Sequence, residues 1–373
     1  MNLLHICCNY GDSLAFAHLF RALAAQGVAQ RVYVPEKYAA RMGKHILPGV
    51  PTHYSLIVRP WDRALYHTKA RRAAPDLAAH MSLEPDTLLH AHTLFTDGAI
   101  AYRLHRQRGL PYAVSVRATD AAYFFPRMPH LRAHGLRMLD AASRIIFLSS
   151  TCRDKVLQHY VPDARREALL AKSAVVPSGI DPAWLNGSPR TWQPGQPLRV
   201  AFAGKLTAVK QPLRAAQAAE ALARLLPGTP VTLCVAGDGP LSGALARSSL
   251  GRMGGVELRG RLRGMEALKA FYDDCHLFLL PSRAETFGLV YLEAMSRGLP
   301  VLYTRGQGFD GQFPEGQAGF AIDPADARAV ALAALRALDD YPARSARCLA
   351  LAASMPWEKA AEAMAAQYRA ILS

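Results

Sequence analysis

The chain has 373 residues, 51% of them hydrophobic and 20% charged, and carries a net charge of +15. These proportions exclude a disordered or fibrous chain, and the length exceeds what one hydrophobic core usually serves, so two domains are expected. The charge is uneven, +11 over residues 1–190 and +4 over residues 191–373. A basic first half suits anionic lipid, nucleic acid or phosphorylated substrates, or is simply a soluble basic surface.

The opening residues run straight into an apolar strand with no basic leader and no small-residue cleavage site, so no signal peptide is expected. No apolar run approaches the roughly 18 residues of a membrane span. Strand-like and helical runs then alternate: Leu3 to Asn9, a helix from about Ser13 to Gln26, Arg31 to Pro35, and later strands near Thr87 to Ala91, Tyr112 to Val116 and Arg144 to Leu148. This βαβ alternation predicts a doubly wound parallel sheet. Residues 181–197 concentrate Gly, Pro, Asn and Ser and read as a linker. Beyond them the pattern restarts, with strands at Leu198 to Ala203, Thr232 to Ala236, Val256 to Leu258, His276 to Leu280 and Pro300 to Tyr303, and a helix over Pro324 to Asp340. Trp357 to Leu372 has helical apolar spacing after Pro356 and predicts a docked terminal helix. The expected domains are therefore residues 1–185, residues 196–356, and a terminal helix, 357–373, crossing back to the first domain.

Six cysteines (Cys7, Cys8, Cys152, Cys234, Cys275 and Cys348) are scattered along the chain. They suit reduced, buried thiols and a cytoplasmic setting better than a disulfide framework, with Cys7 and Cys8 a buried pair inside the first strand. No C-x-x-C occurs, and His90 and His92 lack further ligands at suitable spacing, so no zinc site is expected.

The richest chemistry lies in PSRAETFGLVYLEAMSRGLPVL, residues 281–302. A strand end places Glu285 at the carboxyl edge of a sheet, where open α/β folds bind ligands, and Gly288 permits close backbone approach at a helix start. Glu293 follows on that helix, and carboxylates accept hydrogen bonds from paired hydroxyls, as on a sugar and a ribose. Alternatively both are ordinary surface glutamates. A second segment, AFAGKLTAVKQ at 201–211, offers Lys205 and Lys210 beside a glycine turn. Cations fixed where a leaving diphosphate gathers charge supply electrostatic catalysis.

With its E-x7-E and trailing G-x-P-V, the first segment resembles the signature of family 4 glycosyltransferases of the GT-B fold, two Rossmann-like domains facing a central cleft. The resemblance implies a metal-independent, retaining transfer from a nucleotide diphosphate sugar that is a substrate and not a cofactor. It implies that Glu285 meets donor-sugar hydroxyls, Glu293 the ribose, and backbone amides around Phe287, Gly288 and Leu289 the sugar and diphosphate. The Lys205 and Lys210 segment resembles the family's G-R-L-x-x-x-K-G, with Lys205 standing for Arg and Gln211 for Gly. Lysine is a point charge where arginine is a bidentate fork. Gly237, in a G-D-G-P turn, and Arg261, in a loop expected against the base, complete the donor side.

In the first half, Gly11 is what remains of the family's glycine-rich loop, and a plain strand-to-helix turn is the other reading. SVRATD at 115–120 resembles V-H-G-x-D, with Arg117 where the family has its His. A guanidinium is no base near neutral pH but binds hydroxyls or phosphate. Arg117 thus joins Glu285, Lys205 and Lys210 as a catalytic candidate, and Gly11, His92 and Asp120 are acceptor-side candidates. Tyr123, Phe124 and Phe125 are interleaved with Arg127, Arg132 and Arg137, and Arg63, Lys69, Arg71 and Arg72 form another basic cluster. Each stretch reads either as a membrane interface for a lipid diphosphate acceptor or as a core-facing helix with a basic outer face.

The expected activity is sugar transfer to a glycan or polyprenyl-diphosphate-linked acceptor in bacterial surface polysaccharide synthesis (capsule, exopolysaccharide or lipopolysaccharide). Partners are the donor, that acceptor and an anionic membrane face, with no nucleic acid. A nucleotide-sugar 2-epimerase and a non-catalytic nucleotide-sugar binding protein are the alternatives. A dehydrogenase is disfavoured because no G-x-G-x-x-G follows the first strand.

Overall fold

The computed structural model describes residues 2–63 and 65–372; the side chain of Arg63, named in the basic cluster above, lies outside the described residues. The chain divides into two compact units, Met1–Gly179 with Trp357–Ser373, and Ile180–Pro356.

In the first unit the described strands are β1 (Asn2–Ile6), β2 (Gln30–Pro35), β3 (Thr52–Ser55), β4 (Thr87–Ala91), β5 (Tyr112–Val116), β6 (Arg144–Phe147) and β7 (Ser173–Val175). They pair in parallel in the order β3-β2-β1-β4-β5-β6-β7. Every residue of β4 and β5 is buried, as expected where helices cover both faces and the apolar run is continuous instead of alternating. The helix Leu14–Ala25 starts at Ser13, whose hydroxyl accepts from Ala15 N at 3.4 Å. It buries Phe16, Leu19, Phe20 and Leu23. The terminal helix Trp357–Leu372 packs beside it: Trp357 stacks on His18 at 5.9 Å, Gln26 Nε2 donates to Glu358 O at 2.9 Å, and the Tyr368 hydroxyl meets His90 Nδ1 at 2.6 Å.

The second unit holds β8 (Leu198–Ala203), β9 (Val231–Ala236), β10 (Val256–Leu258), β11 (Leu277–Leu280), β12 (Val301–Thr304) and β13 (Gly319–Ile322). These are also parallel, in the order β10-β9-β8-β11-β12-β13. Both units are thus Rossmann-like α/β sheets.

Two sequence expectations change. The stretch 181–197 is part of the second unit: Trp184 and Trp192 are buried, and Arg190 donates to Tyr272 O at 3.0 Å. Its apolar anchors outweigh its turn-rich composition. Strand β1 ends at Ile6, so Cys7 and Cys8 lie in the turn after it, with Cys7 buried and Cys8 partly exposed. All six cysteines are free. No helix of the described residues is long and apolar enough to cross a membrane.

Candidate functional site

In each sheet the chain builds outward from its first strand and then returns to the other side, so the order reverses between β1 and β4 and between β8 and β11. Connections from those neighbouring strands leave in opposite directions, and open α/β sheets receive ligands outside the strand carboxyl ends at such a reversal.

At the second reversal, residues 204–211 leave β8 and residues 281–288 leave β11. Arg283 N donates to Val209 O at 2.8 Å, and the Gln211 side-chain amide spans the loops, donating to Pro281 O at 2.7 Å and accepting from Arg283 Nε at 3.0 Å. Gln211 has φ +52°, a left-handed conformation that favours glycine, so its side-chain bonds offset backbone strain. Pro212 then opens the helix Pro212–Leu225. Held this way, Lys210 Nζ forms an ion pair with Glu285 Oε2, both largely buried. Lys205, on the same loop, is exposed.

Glu285 is clamped from behind by the turn after β12. Its N donates to Gln307 Oε1 at 3.2 Å, and its carbonyl accepts from Gly308 N at 3.0 Å. A Cβ on Gly308 would stand 2.0 Å from Thr286 O, so only glycine fits. Gln307 and Gly308 were passed over in the sequence, although a glycine-rich turn after an apolar strand was the available signal. Phe287 is buried against Phe309, ring centroids 6.2 Å apart. Gly288, at φ +85°, starts the helix Leu289–Met295.

Glu293 lies in the second turn of that helix, and its Oε2 accepts from the Tyr272 hydroxyl at 3.2 Å. Burial raises its carboxyl from 4.5 to about 7, and the Tyr272 hydrogen bond offsets only part of that. Glu293 therefore makes its contact with Tyr272, and not with the Lys210 and Glu285 pair. Tyr272 carried no sequence signal, since the pairing is purely tertiary. Gly237 answers to its own backbone neighbours: a Cβ there would lie 1.9 Å from Gly204 O. Its glycine is required by packing between the turns after β8 and β9. Arg261 is exposed in the connection after β10.

At the first reversal the picture differs from the expectation. Asp120 is buried, and its carboxylate accepts from Arg117 N at 2.8 Å, Phe95 N at 3.0 Å and Leu94 N at 3.1 Å. Burial raises it to about 6 in spite of those three donors. Its oxygens staple two loops together. His92 is likewise buried, Nε2 against His5 Nδ1 at 2.9 Å, while its carbonyl accepts from Arg117 Nε at 3.0 Å. Gly11 is buried beside Arg41 and Glu36. Arg117 is partly exposed, with its guanidinium 5.0 Å above the Phe16 ring. His92 and Asp120 bond to Arg117 and hold it, whereas Gly11 packs against Arg41 and Glu36. Asp97, which the sequence did not single out, is buried at the same edge, accepting from Cys8 N at 3.2 Å and lying 4.0 Å from Lys69 Nζ.

The pairing of β1 with β4 sets His5 opposite His90, so three buried histidines, His5, His90 and His92, bring ring nitrogens within 4.8 Å of one another. The sequence spacing of His90 and His92 had hidden this third member. Their nitrogens are engaged by Gln30, Tyr368, Ser115 and one another, apart from His92 Nδ1. Burial holds all three below the usual histidine range, His5 at about 3.

Residues 13–170 match the family described as glycosyl transferase 4-like domain, and residues 197–340 that described as glycosyl transferases group 1. The D-inositol 3-phosphate glycosyltransferase of Streptomyces avermitilis is 30% identical over 97% of this chain and 83% of its own length. Its counterpart from Corynebacterium urealyticum is 32% identical over 46% of this chain and 43% of its own length. The structure of Anabaena HepE in complex with UDP superposes with a TM-score of 0.73 at 16% identity, covering 99% of this chain and 100% of that one. With these matches over both of its units, the chain belongs to the family 4 glycosyltransferases of the GT-B fold.

Proposed function

We propose that the second unit binds a nucleotide diphosphate sugar at the β8/β11 reversal and that the enzyme moves its sugar, with retention, to a glycan or polyprenyl-diphosphate-linked acceptor bound by the first unit. The Lys210 and Glu285 ion pair across the two loops carries this reading. An arriving diphosphate competes for Lys210, and Glu285, released, accepts from the sugar hydroxyls. A ligand lacking the sugar leaves that carboxylate without a partner, so the pair favours a complete donor over a free nucleotide. Glu293 takes the ribose hydroxyls, amides around Phe287, Gly288 and Leu289 the sugar and diphosphate, and Arg261 the side of the base.

In the transfer, the bond from the anomeric carbon to the diphosphate oxygen breaks as the acceptor oxygen bonds to that carbon from the same face. The hydroxyl proton goes to the departing diphosphate. Lys205 and Lys210 stabilise the charge that develops there, the part that needs most help in such a reaction, without calling on a bound metal. Arg117 cannot take a proton near pH 7 and is assigned to bind the acceptor. A surface-polysaccharide role at the cytoplasmic face of the membrane agrees with the basic first half of the chain.

A thermal-shift panel of UDP, GDP and ADP sugars, followed by transfer to a polyprenyl-diphosphate-linked sugar, tests the reading. One donor class raises the melting temperature of the wild-type protein, and Lys210→Ala abolishes that rise. No shift with any donor, or an equal shift in the variant, overturns it.

A further inference from the structure

The structure brings together two segments that the sequence shows far apart. The connection from β3 carries Trp61 and Leu65 and leads into the helix Tyr66–His80, and the connection from β5 carries Tyr123 and leads into the helix Arg132–Ala141. In a parallel sheet both begin at the carboxyl edge. The Tyr66 ring meets Phe124 at 6.3 Å and His134 at 5.7 Å, and His67 meets His134 at 4.9 Å. The start of the helix Tyr66–His80, with Leu65 and Trp61 joined just before it by a hydrogen bond from Leu65 N to Trp61 O at 2.9 Å, therefore meets residues 123–137 along one face.

Three large apolar or aromatic side chains stand out of it: Trp61 at 54% exposure, Leu65 at 57% and Tyr123 at 41%. Around them are exposed cations. Arg127 lies 5.7 Å above the Tyr123 ring, and Arg71 and Arg137 both press on His67, which desolvation first and these charges next hold below its usual range. The face also sorts the basic cluster of the sequence: Arg72 is spent on Asp62 at 2.6 Å and Lys69 turns towards buried Asp97, whereas Arg71, Arg127 and Arg137 form no ion pair among the described residues.

Exposed indole, leucine and tyrosine side chains ringed by unpaired arginines match the interface of an anionic bilayer, which accepts apolar tips below its headgroups and cations among them. We propose that this face, built on Trp61, Leu65, Tyr123, Arg71, Arg127 and Arg137, docks the protein on an anionic lipid surface. The inference deepens the lipid-linked acceptor reading above, since the face occupies the same sheet edge as Arg117. Single-stranded nucleic acid fits less well, because Leu65 offers no stacking plane.

The test is co-sedimentation of the full-length protein with phosphatidylcholine vesicles containing about 30% phosphatidylglycerol, against pure phosphatidylcholine, at low and high salt. Binding is expected to the anionic vesicles only and to weaken with salt. Each arginine is worth about five-fold in partitioning, so Arg71→Gln with Arg137→Gln lowers it about 25-fold. Trp61→Ser with Leu65→Ser also weakens it, and all four positions are exposed, so folding is retained. Removing equal charge at the opposite edge, with Arg106→Gln and Arg108→Gln at the end of the helix Gly98–Arg108, leaves binding unchanged. No binding by the wild type, equal loss in both arginine pairs, or binding to single-stranded RNA in place of vesicles overturns the proposal. Transfer to a soluble acceptor reads the enzymatic reading separately, so the two can fail independently.

Discussion

Replacing Glu293 with Gln should make the protein more stable and a poorer ligand-binder at once. The side chain is partly buried, its carboxyl raised from 4.5 to about 7, with the Tyr272 hydroxyl as its hydrogen-bond partner. An acid raised on folding contributes stability that is whole below its unfolded value and is lost as pH rises through the folded one. Between 4.5 and 7 that loss amounts to at most about 3 kcal/mol, all of it incurred by pH 8 and about 1 kcal/mol of it by pH 5. Glutamine carries no charge and still accepts from Tyr272. Calorimetry at pH 8 should show the second unit melting about 5–10 °C higher in the variant, with the difference shrinking towards pH 5. If ribose hydroxyls prefer the carboxylate, wild-type donor affinity falls up to tenfold per pH unit below 7, and the variant binds weakly with no such dependence. Equal melting of the two proteins at both pH values, or a variant less stable at pH 8, would refute the reasoning.

Other consequences follow from the same geometry. Glu285→Ala and Lys210→Ala should each cut transfer by about a hundredfold or more, read as product formed per minute, with circular dichroism unchanged. Gly237→Ala puts a Cβ 1.9 Å from Gly204 O, so the second unit should lose more than about 3 kcal/mol in urea unfolding while the first keeps its transition. Tyr368→Phe strips the partner from buried His90 Nδ1 and should cost the first unit about 1–3 kcal/mol, leaving the second unaffected.

The long apolar strands were legible because burial on both faces writes them as unbroken runs. Strands β3 (Thr52–Ser55) and β7 (Ser173–Val175) were not, being only partly buried and poor in large apolar residues, and β13 (Gly319–Ile322) opens on a glycine straight after a turn-rich stretch. The stretch 181–197 misled in the same way: its turn-forming residues are visible in the sequence, but the packing of Trp184 and Trp192 is not. At the β8/β11 reversal, Glu285 and Lys210 were readable because each sits on a local pattern of strand, turn and helix. Gln211 had been noted only as a departure from glycine; its left-handed backbone and its bonds to Pro281 and Arg283 give it a positioning role. Asp120 and His92 were overread, because sequence shows a polar residue at a strand end but not the backbone amides or neighbouring ring that already occupy it.

Calorimetric titration of the nucleoside diphosphate of the active donor into wild-type protein and into the Lys205→Ala, Lys210→Ala double variant tests most directly whether the loops after β8 and β11 hold the diphosphate. Loss of both cations is predicted to weaken binding by at least tenfold while the circular dichroism of the free protein stays that of the wild type. Binding of undiminished strength in the double variant would contradict the account.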